Sequence, residues 1–448
     1  MPNSIAAIIL AAGKGTRMNS SKPKVLHKLA GLPLIGHVLS SVGTLNPEIM
    51  TVVIGPEQDE IKQFVDPVNV VYQTKPLGTG HAVKSALESL INFDGTVFVA
   101  FGADPLISPE TLQKMLLARQ VNNPPDIVVM GFKTKNPGRY GRLLQDPKGR
   151  LERIIEVSEA DKIDRPVRLY NGGVMAIDGT KLGGFLEVLK AENAKKEYYL
   201  TDIIGISRDQ GGYAEIVEGD EAEALGIDTR QDLAMAEGIL QSRLRAKVMA
   251  SGVTLIAPET VCLSHDTVIG RDTTIHPNVV FGEGVKIGEN VEVKSFSHIE
   301  GAKIDDGATL GPFARLRSGA EISSQVHVGN FVEIKEAKIN EGAKIGHLSY
   351  VGDAIVGANA NLGAGTITCN FDGFEKHTTS IGANAFIGSN TALVAPIKIG
   401  DNAIVGAGSA ITRLAPDDTL VVARGETRQI TGGASRFRSK RQNKKKID

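Results

Sequence analysis

Four stretches of this 448-residue sequence put polar or charged side chains where chemistry needs them. Leu10, Ala11, Ala12, Gly13, Lys14, Gly15, Thr16, Arg17 and Met18 follow directly on an apolar run. Small residues in such a loop let backbone N–H groups approach a phosphate chain, and Lys14 and Arg17 add positive charge beside it. The loop lacks the Gly-Lys-Ser/Thr ending of a Walker A motif and the spacing of a dinucleotide fingerprint. A tight strand-to-helix turn with two solvated cations is the alternative. Further on, Arg317 and Lys335 stand eighteen residues apart. Like charges that face each other repel unless an anion lies between them. Gly346-His347-Leu348-Ser349-Tyr350 sets an imidazole near an acid, Glu333. A neutral imidazole is a natural proton acceptor, although a structural histidine would read the same way. Last, residues 366–380 carry Cys369, Asn370, Phe371, Asp372, Gly373 and Lys376 and interrupt a regular repeat. Loops thrown from rigid repeats carry binding groups.

The elements that must position these groups change character along the chain. At 448 residues, 42% of them hydrophobic, the sequence is too long for one ordinary core and suits two domains. Residues 1–228 alternate apolar strand-like runs (5–10, 50–54, 68–72, 96–101) with amphipathic segments such as 81–90 and 110–119. That order predicts a Rossmann-like α/β domain with a mostly parallel sheet. Residues 229–250 read as one connecting helix, striped by Leu233, Ala236, Leu240, Leu244 and Val248, with Thr229 and Asp232 as a capping box.

Residues 251–448 have a period of six. Leu263, Ile269, Ile275, Phe281, Ile287, Val293 and Ile299 fall six apart. The run resumes from Ile304 to Ile334, continues through Ile345 and Leu362, and ends with Ile381 to Ile411. A parallel β-helix explains such a period, with three flat sides per coil of about eighteen residues and coils stacked at roughly 4.8 Å. Arg317 and Lys335 would then sit one above the other, and 366–380 would loop out. A basic tail follows: Arg436, Arg438, Lys440, Arg441, Lys444, Lys445 and Lys446. By itself it reads as solvated and mobile.

In the front half the phosphate loop is followed by Lys22-Pro23-Lys24-Val25-Leu26, Gln73, Pro76-Leu77-Gly78-Thr79-Gly80-His81-Ala82 and Gly102-Ala103-Asp104-Pro105-Leu106. Tyr140-Gly141-Arg142, Glu156, Asn171-Gly172-Gly173 and Glu197-Tyr198-Tyr199-Leu200-Thr201-Asp202 complete the series. In this order they resemble the N-acetylglucosamine-1-phosphate uridylyltransferase domain of the bacterial two-headed GlmU family. The resemblance implies attack of the sugar 1-phosphate on the α-phosphorus of UTP, with release of pyrophosphate. It implies phosphate contacts from Leu10, Ala11, Ala12, Gly13, Lys14, Arg17 and Lys24, and uracil contacts from Gln73, Gly78 and Thr79. Phe101 and Gly102 would line the nucleotide-sugar site, Gly141, Glu156 and Asn171 would hold the sugar, and Asp228 would help hold Mg²⁺. The family motif is Gly-Asp-x-Pro, with a metal-binding Asp where this chain has Ala103. Three readings follow: Asp104 reaches the metal through a local bulge, Asp228 and water hold it alone, or this head is disabled.

The back half is similar to the acetyltransferase domain of the same family, whose hexapeptide β-helix is left-handed. The resemblance places Arg317, Lys335, Tyr350, Asn361 and Lys376 around glucosamine 1-phosphate and gives His347 the role of general base. Ala364, Asn370, Phe371, Ser389, Ala407 and Arg424 would line the acetyl-CoA site, with Phe371 where the family usually has Tyr. It also implies a homotrimer with acetyl sites between neighbouring chains, the basic tail reaching one of them. The product, UDP-N-acetylglucosamine, would feed peptidoglycan and lipopolysaccharide.

Net charge is −1, so no global field favours nucleic acid or a membrane. No apolar stretch is long enough to cross a bilayer, and the first apolar run lacks the flanks of a signal peptide. Cys262 and Cys369 form neither a disulfide framework nor a zinc site, which suits a reducing cytoplasm. Two rivals stay open. One head alone is active, the β-helix being a scaffold or the front domain silent. Alternatively, the chain is a non-enzymatic exchange-factor subunit of similar build.

Overall fold

The computed structural model describes residues 4–138, 140–157, 166–193 and 195–444. The chain divides into two compact units, Met1–Leu244 and Arg245–Asp448.

Ile5–Leu10 is the pivot of the first unit. All six of its residues are buried, as expected of a central strand covered on both faces. Ile5, Ala7 and Ile9 point into one apolar core with Ile35, Val38 and Leu112. Ala6, Ile8 and Leu10 point into the other with Val83, Leu182 and Ile203. One strand thus feeds two cores through its period of two.

The nine-stranded sheet runs, from one edge, Asn69–Tyr72, Ile49–Ile54, Ile5–Leu10, Thr96–Phe101, Leu169–Asp178, Ile127–Phe132, Ala214–Glu218, Leu151–Ile155 and Arg142–Gln145. The expected parallel arrangement occupies the first four strands. Leu169–Asp178 lies antiparallel to both Thr96–Phe101 and Ile127–Phe132 and makes the sheet mixed. From Ile5–Leu10 the chain turns to one side for Ile49–Ile54 and Asn69–Tyr72, and to the other for Thr96–Phe101. That reversal leaves a crevice at the carboxyl ends of the strands, where α/β sheets bind ligands.

Arg230–Ala250 is one helix. Its start is the expected capping box: Thr229 Oγ1 accepts from the Asp232 N–H at 3.1 Å, and Asp232 Oδ2 accepts from the Thr229 N–H at 2.8 Å. Ala236, on the apolar stripe, packs with Leu29, Leu34, Leu106 and Ile227.

The second unit is a parallel β-helix with strands of mostly two residues. On one side Ile275, Val293, Leu310, Val328, Ile345, Leu362, Ile387 and Val405 stack in register. All are buried, and together they form a continuous apolar spine. Glu333–Ile339 and Tyr350–Val356 are longer strands that run from the second side around into the third.

The interruption after Leu362 is shorter than 366–380. Ile367–Cys369 remains a strand paired to the coils on either side of it, and Thr379–Ile381 resumes the prism. Thr368 takes the inward position six residues after Leu362, and its hydroxyl is satisfied by the N–H and C=O of Gly352. A satisfied polar residue hid this repeat from an apolar count. Only residues 370–378 leave the coil. The basic tail, expected to be solvated and mobile, contains the helix Gly433–Lys444; Lys445 and Lys446 lie outside the described residues.

Candidate active sites

In the first unit the loop after Ile5–Leu10 folds back on itself. Gly15 has φ +61°, and a Cβ there would stand 2.5 Å from Lys24 Cβ. Glycine therefore lets the phosphate loop pack against the Lys22–Leu26 segment. Lys24 Nζ meets Asp228 Oδ1 at 2.9 Å, and Arg17 Nη2 meets Asp228 Oδ2 at 3.0 Å. Two cations expected on phosphates thus converge on a carboxylate expected on the metal. Lys14 is exposed on the same loop.

Ala103 and Asp104 take different environments. Ala103 is 6% exposed within the apolar core, and its carbonyl accepts from the Ile227 N–H at 2.9 Å. Asp104 turns away from that core. Its Oδ1 lies 3.0 Å from where a Cβ on Gly226 would stand, and its Oδ2 lies 3.4 Å from that of Gly173. Its carboxylate is thereby set between the Gly226–Asp228 segment and the segment following Asn171. Among the described residues no group of three or more His, Cys, Asp or Glu is set to hold a metal.

Gln73 is buried and donates through Nε2 to the Gly78 carbonyl at 3.0 Å and to His81 Nδ1 at 3.2 Å. Burial, then Lys84 and Lys75, hold the His81 imidazole below its usual pKa, which keeps Nδ1 able to accept. Gly78 has φ +103°, and a Cβ there would strike the Tyr198 backbone at 2.6 Å. Thr79 Oγ1 accepts from the Leu200 N–H. The two motifs around Gly78 and Tyr198 are therefore zipped together. On the sugar side, the Asn171 N–H donates to the Gly141 carbonyl at 2.8 Å, and Asn171 Oδ1 accepts from the Gly173 N–H. Glu156, half-buried, follows Leu151–Ile155. Phe101 ends its strand and Gly102 follows it beside Leu10, whose carbonyl accepts from the Gly102 N–H.

In the second unit most of the candidate residues fall on two corners of the prism flanking one side, with Tyr350 and Asn361 on flat sides. On the first, backbone hydrogen bonds link Asn330, His347, Ala364, Ser389 and Ala407 through successive coils or their next residues. Arg424 closes the column by donating to the Ala407 carbonyl. His347 does not meet Glu333. Its Nδ1 lies 2.5 Å from Asn330 Oδ1, one coil back, an acceptor that suits a proton on Nδ1 and a lone pair on Nε2. The reason is register: Glu333 lies on the flat side opposite Tyr350, whereas Asn330 and His347 share a corner.

On the second corner Arg317 and Lys335 occupy neighbouring coils as expected. Glu333 takes up arginine charge, accepting from Arg317 at 3.0 Å and from Arg315 at 3.5 Å. Lys376, carried on the 370–378 loop, comes against Lys335. Its contact and charge push Lys335 below the usual lysine range, with desolvation and Arg317 adding to the effect. Three cations thus face one place, and Tyr350 stands on the side between the corners. Asn361 lies on the preceding side, opposite Lys344. Asn370 is buried and donates to Asp353 Oδ2, while Phe371 is 60% exposed. Asn330 and Asp353 were not read from sequence. Both stand seventeen residues before their partners, one coil back, and that spacing was the available signal.

Comparisons with known proteins cover nearly the whole chain. The MobA-like NTP transferase domain family matches residues 7–168. Bacterial transferase hexapeptide repeats match 266–301, and the hexapeptide repeat of succinyl-transferase matches 378–413. The bifunctional protein GlmU of Paramagnetospirillum magneticum is 53% identical over 98% of both chains. Those of Rhodospirillum rubrum and Paracoccus denitrificans are 52% and 49% identical, each over 97% of both chains.

Proposed function

This chain belongs to the bifunctional GlmU family, and from that premise we propose how its residues divide the work. It is both an N-acetyltransferase and a nucleotidyltransferase of cell-wall precursor synthesis. Acetyl-CoA acetylates glucosamine 1-phosphate; UTP then takes the product to UDP-N-acetylglucosamine and pyrophosphate.

In the acetyl-transfer site the cations Arg317, Lys335 and Lys376 bind the sugar phosphate, with Tyr350 and Asn361 at the sugar. The amine attacks the thioester carbonyl, His347 Nε2 accepts the amine proton, and the C–S bond breaks to release the thiol. The observation that supports this most is the Asn330–His347 hydrogen bond, because an amide oxygen at Nδ1 favours the tautomer that has a basic Nε2. Ala364, Asn370, Phe371, Ser389, Ala407 and Arg424 receive acetyl-CoA along the same corner.

In the uridylyl-transfer site the sugar phosphate oxygen attacks the α-phosphorus of UTP, and the bond to the departing pyrophosphate breaks. The chemistry asks for alignment and charge neutralisation. Lys14, Arg17, Lys24 and the 10–13 backbone hold phosphates. Gln73, Gly78 and Thr79 read the uracil, beside Phe101 and Gly102. Gly141, Glu156 and Asn171 hold the sugar.

A divalent metal belongs to this activity, and we assign Mg²⁺. Two carboxylates suit a hard cation that fills its remaining positions with phosphate oxygen and water. Asp228 and Asp104 would hold it, Asp104 standing in for the missing carboxylate at Ala103 because its side chain leaves the core. Bound there, the ion would neutralise phosphate charge.

A homotrimer is part of this reading. Phe296, Phe313 and Phe331 stack at 5.1 Å spacing on an exposed strip that ends at Leu348, beside His347. Exposed apolar strips of this kind mark association surfaces. Cytoplasmic residence is proposed from the two free thiols, Cys262 and Cys369. No helix among the described residues is long and apolar enough to cross a membrane.

The test runs two assays on the purified chain: thiol release from acetyl-CoA with glucosamine 1-phosphate, and pyrophosphate release from UTP with N-acetylglucosamine 1-phosphate and Mg²⁺. Both products are expected. Thiol without pyrophosphate would overturn the role given to Asp104.

A further inference from the structure

We propose that Asp372 is a positioning residue: by gripping the tip of the 370–378 loop and His377, it holds Lys376 against the sugar-phosphate pocket. This rests on the reading of Arg317, Lys335 and Lys376 as that pocket.

The loop is built as a small hairpin. Its ends are joined by the His377 N–H donating to the Asn370 carbonyl at 2.8 Å, and Phe371 and Lys376 form an antiparallel bridge. The Asp372 carboxylate fills the mouth of the turn. Oδ1 accepts from the Phe374 and Glu375 N–H groups, each at 2.8 Å, and Oδ2 accepts from His377 Nε2 at 2.8 Å. These donors, the Glu375 N–H first and His377 next, hold the carboxyl far below the usual carboxylate range.

Apolar burial does not hold this loop, because Phe371 is 60% and Phe374 93% exposed. Its shape therefore depends on polar contacts, and Asp372 makes three of them. Two grip the residues on either side of Lys376: Glu375 by its N–H and His377 by its ring. Lys376 needs such a grip. It lies against another ammonium, Lys335, and two like charges on flexible stems separate unless something confines them. The loop base is tied in turn by Asn370 to Asp353, whose carboxylate also favours the charged form of Lys335. Asp372 thus sets the place of a cation before the anion arrives, which lowers the cost of binding.

The experiment is a double-mutant cycle in the full chain, read as KM for glucosamine 1-phosphate and kcat for thiol release. Asp372→Ala is expected to raise KM about tenfold, as for a lost hydrogen bond to a charged group, with kcat changed less than about threefold. Lys376→Ala should raise KM at least as much. The double variant should be no worse than Lys376→Ala alone, because Asp372 acts through Lys376. Asp372→Asn keeps an acceptor for the two N–H groups and should recover most of the loss. Thermal unfolding of the second unit, followed by circular dichroism and unchanged in every variant, checks that it is folded. An unchanged KM in Asp372→Ala, or additive effects in the double variant, would overturn the proposal while leaving the pocket intact. An unchanged KM in Lys376→Ala would instead remove the pocket on which it stands.

Discussion

The two sites are assembled by opposite means. In the first unit Lys24 reaches Asp228 across 204 positions of sequence. Only the strand order, with its reversal at Ile5–Leu10, brings them together. In the second unit the partners of the site lie 16 or 17 residues apart: Arg317 and Glu333, His347 and Asn330, Asn370 and Asp353. There the coil itself does the assembling. A site on a repeat inherits its geometry from a period, whereas a site on a sheet inherits it from topology. The first tolerates no local misfit between coils; the second depends on long-range packing.

The comparison can be broken most sharply at the two centres. His347→Ala should lower thiol release by about 10²- to 10⁴-fold, the usual contribution of a general base, with pyrophosphate release unchanged. Asp228→Ala should do the reverse and lower pyrophosphate release about a hundredfold, since it removes a carboxylate proposed to hold the metal and leaves Arg17 and Lys24 without their partner. If either variant harmed both reactions equally, the two sites would not be independent.

Stability offers the next contrast. Ile345 is fully buried in the spine of the coil and stacks on Val328 and Leu362. Ile345→Ala should destabilise the second unit by about 2–5 kcal/mol. Unfolding followed by thiol release should therefore shift, while pyrophosphate release should lose heat resistance far less. A smaller effect is expected at the helix start. Thr229→Ala removes one half of the capping box and should cost about 1 kcal/mol, read as a shift in the denaturant midpoint.

What the sequence made legible follows the same division. The hexapeptide period marked the buried positions from Leu263 to Ile411, because an inward residue must be apolar in nearly every coil. It missed Thr368, where a hydroxyl finds partners on Gly352 and replaces an apolar side chain. The sequence suggests Glu333 as the acid near His347, whereas the partner is Asn330; period alone does not say where a flat side ends and a corner begins. In the first unit the strands Ile5–Leu10 and Thr96–Phe101 were plain from their apolar runs. The sequence of Leu169–Asp178 does not announce a strand. Its Gly172 and Gly173 and the register shift between Asn171 and Met175 break the alternation that betrays a strand. Asp104 falls one residue later than the family's metal-binding Asp, whose place Ala103 takes; the structure puts Ala103 in the core and Asp104 outside it, a side-chain choice the motif alone does not record.

That one chain carries two independent sites is tested by crossing two variants with two assays. His347→Ala and Asp228→Ala are each assayed for thiol release and for pyrophosphate release beside the unchanged protein. The account predicts that each variant loses one activity and keeps the other within about twofold. Loss of both activities in either variant, or retention of thiol release in His347→Ala, would contradict it.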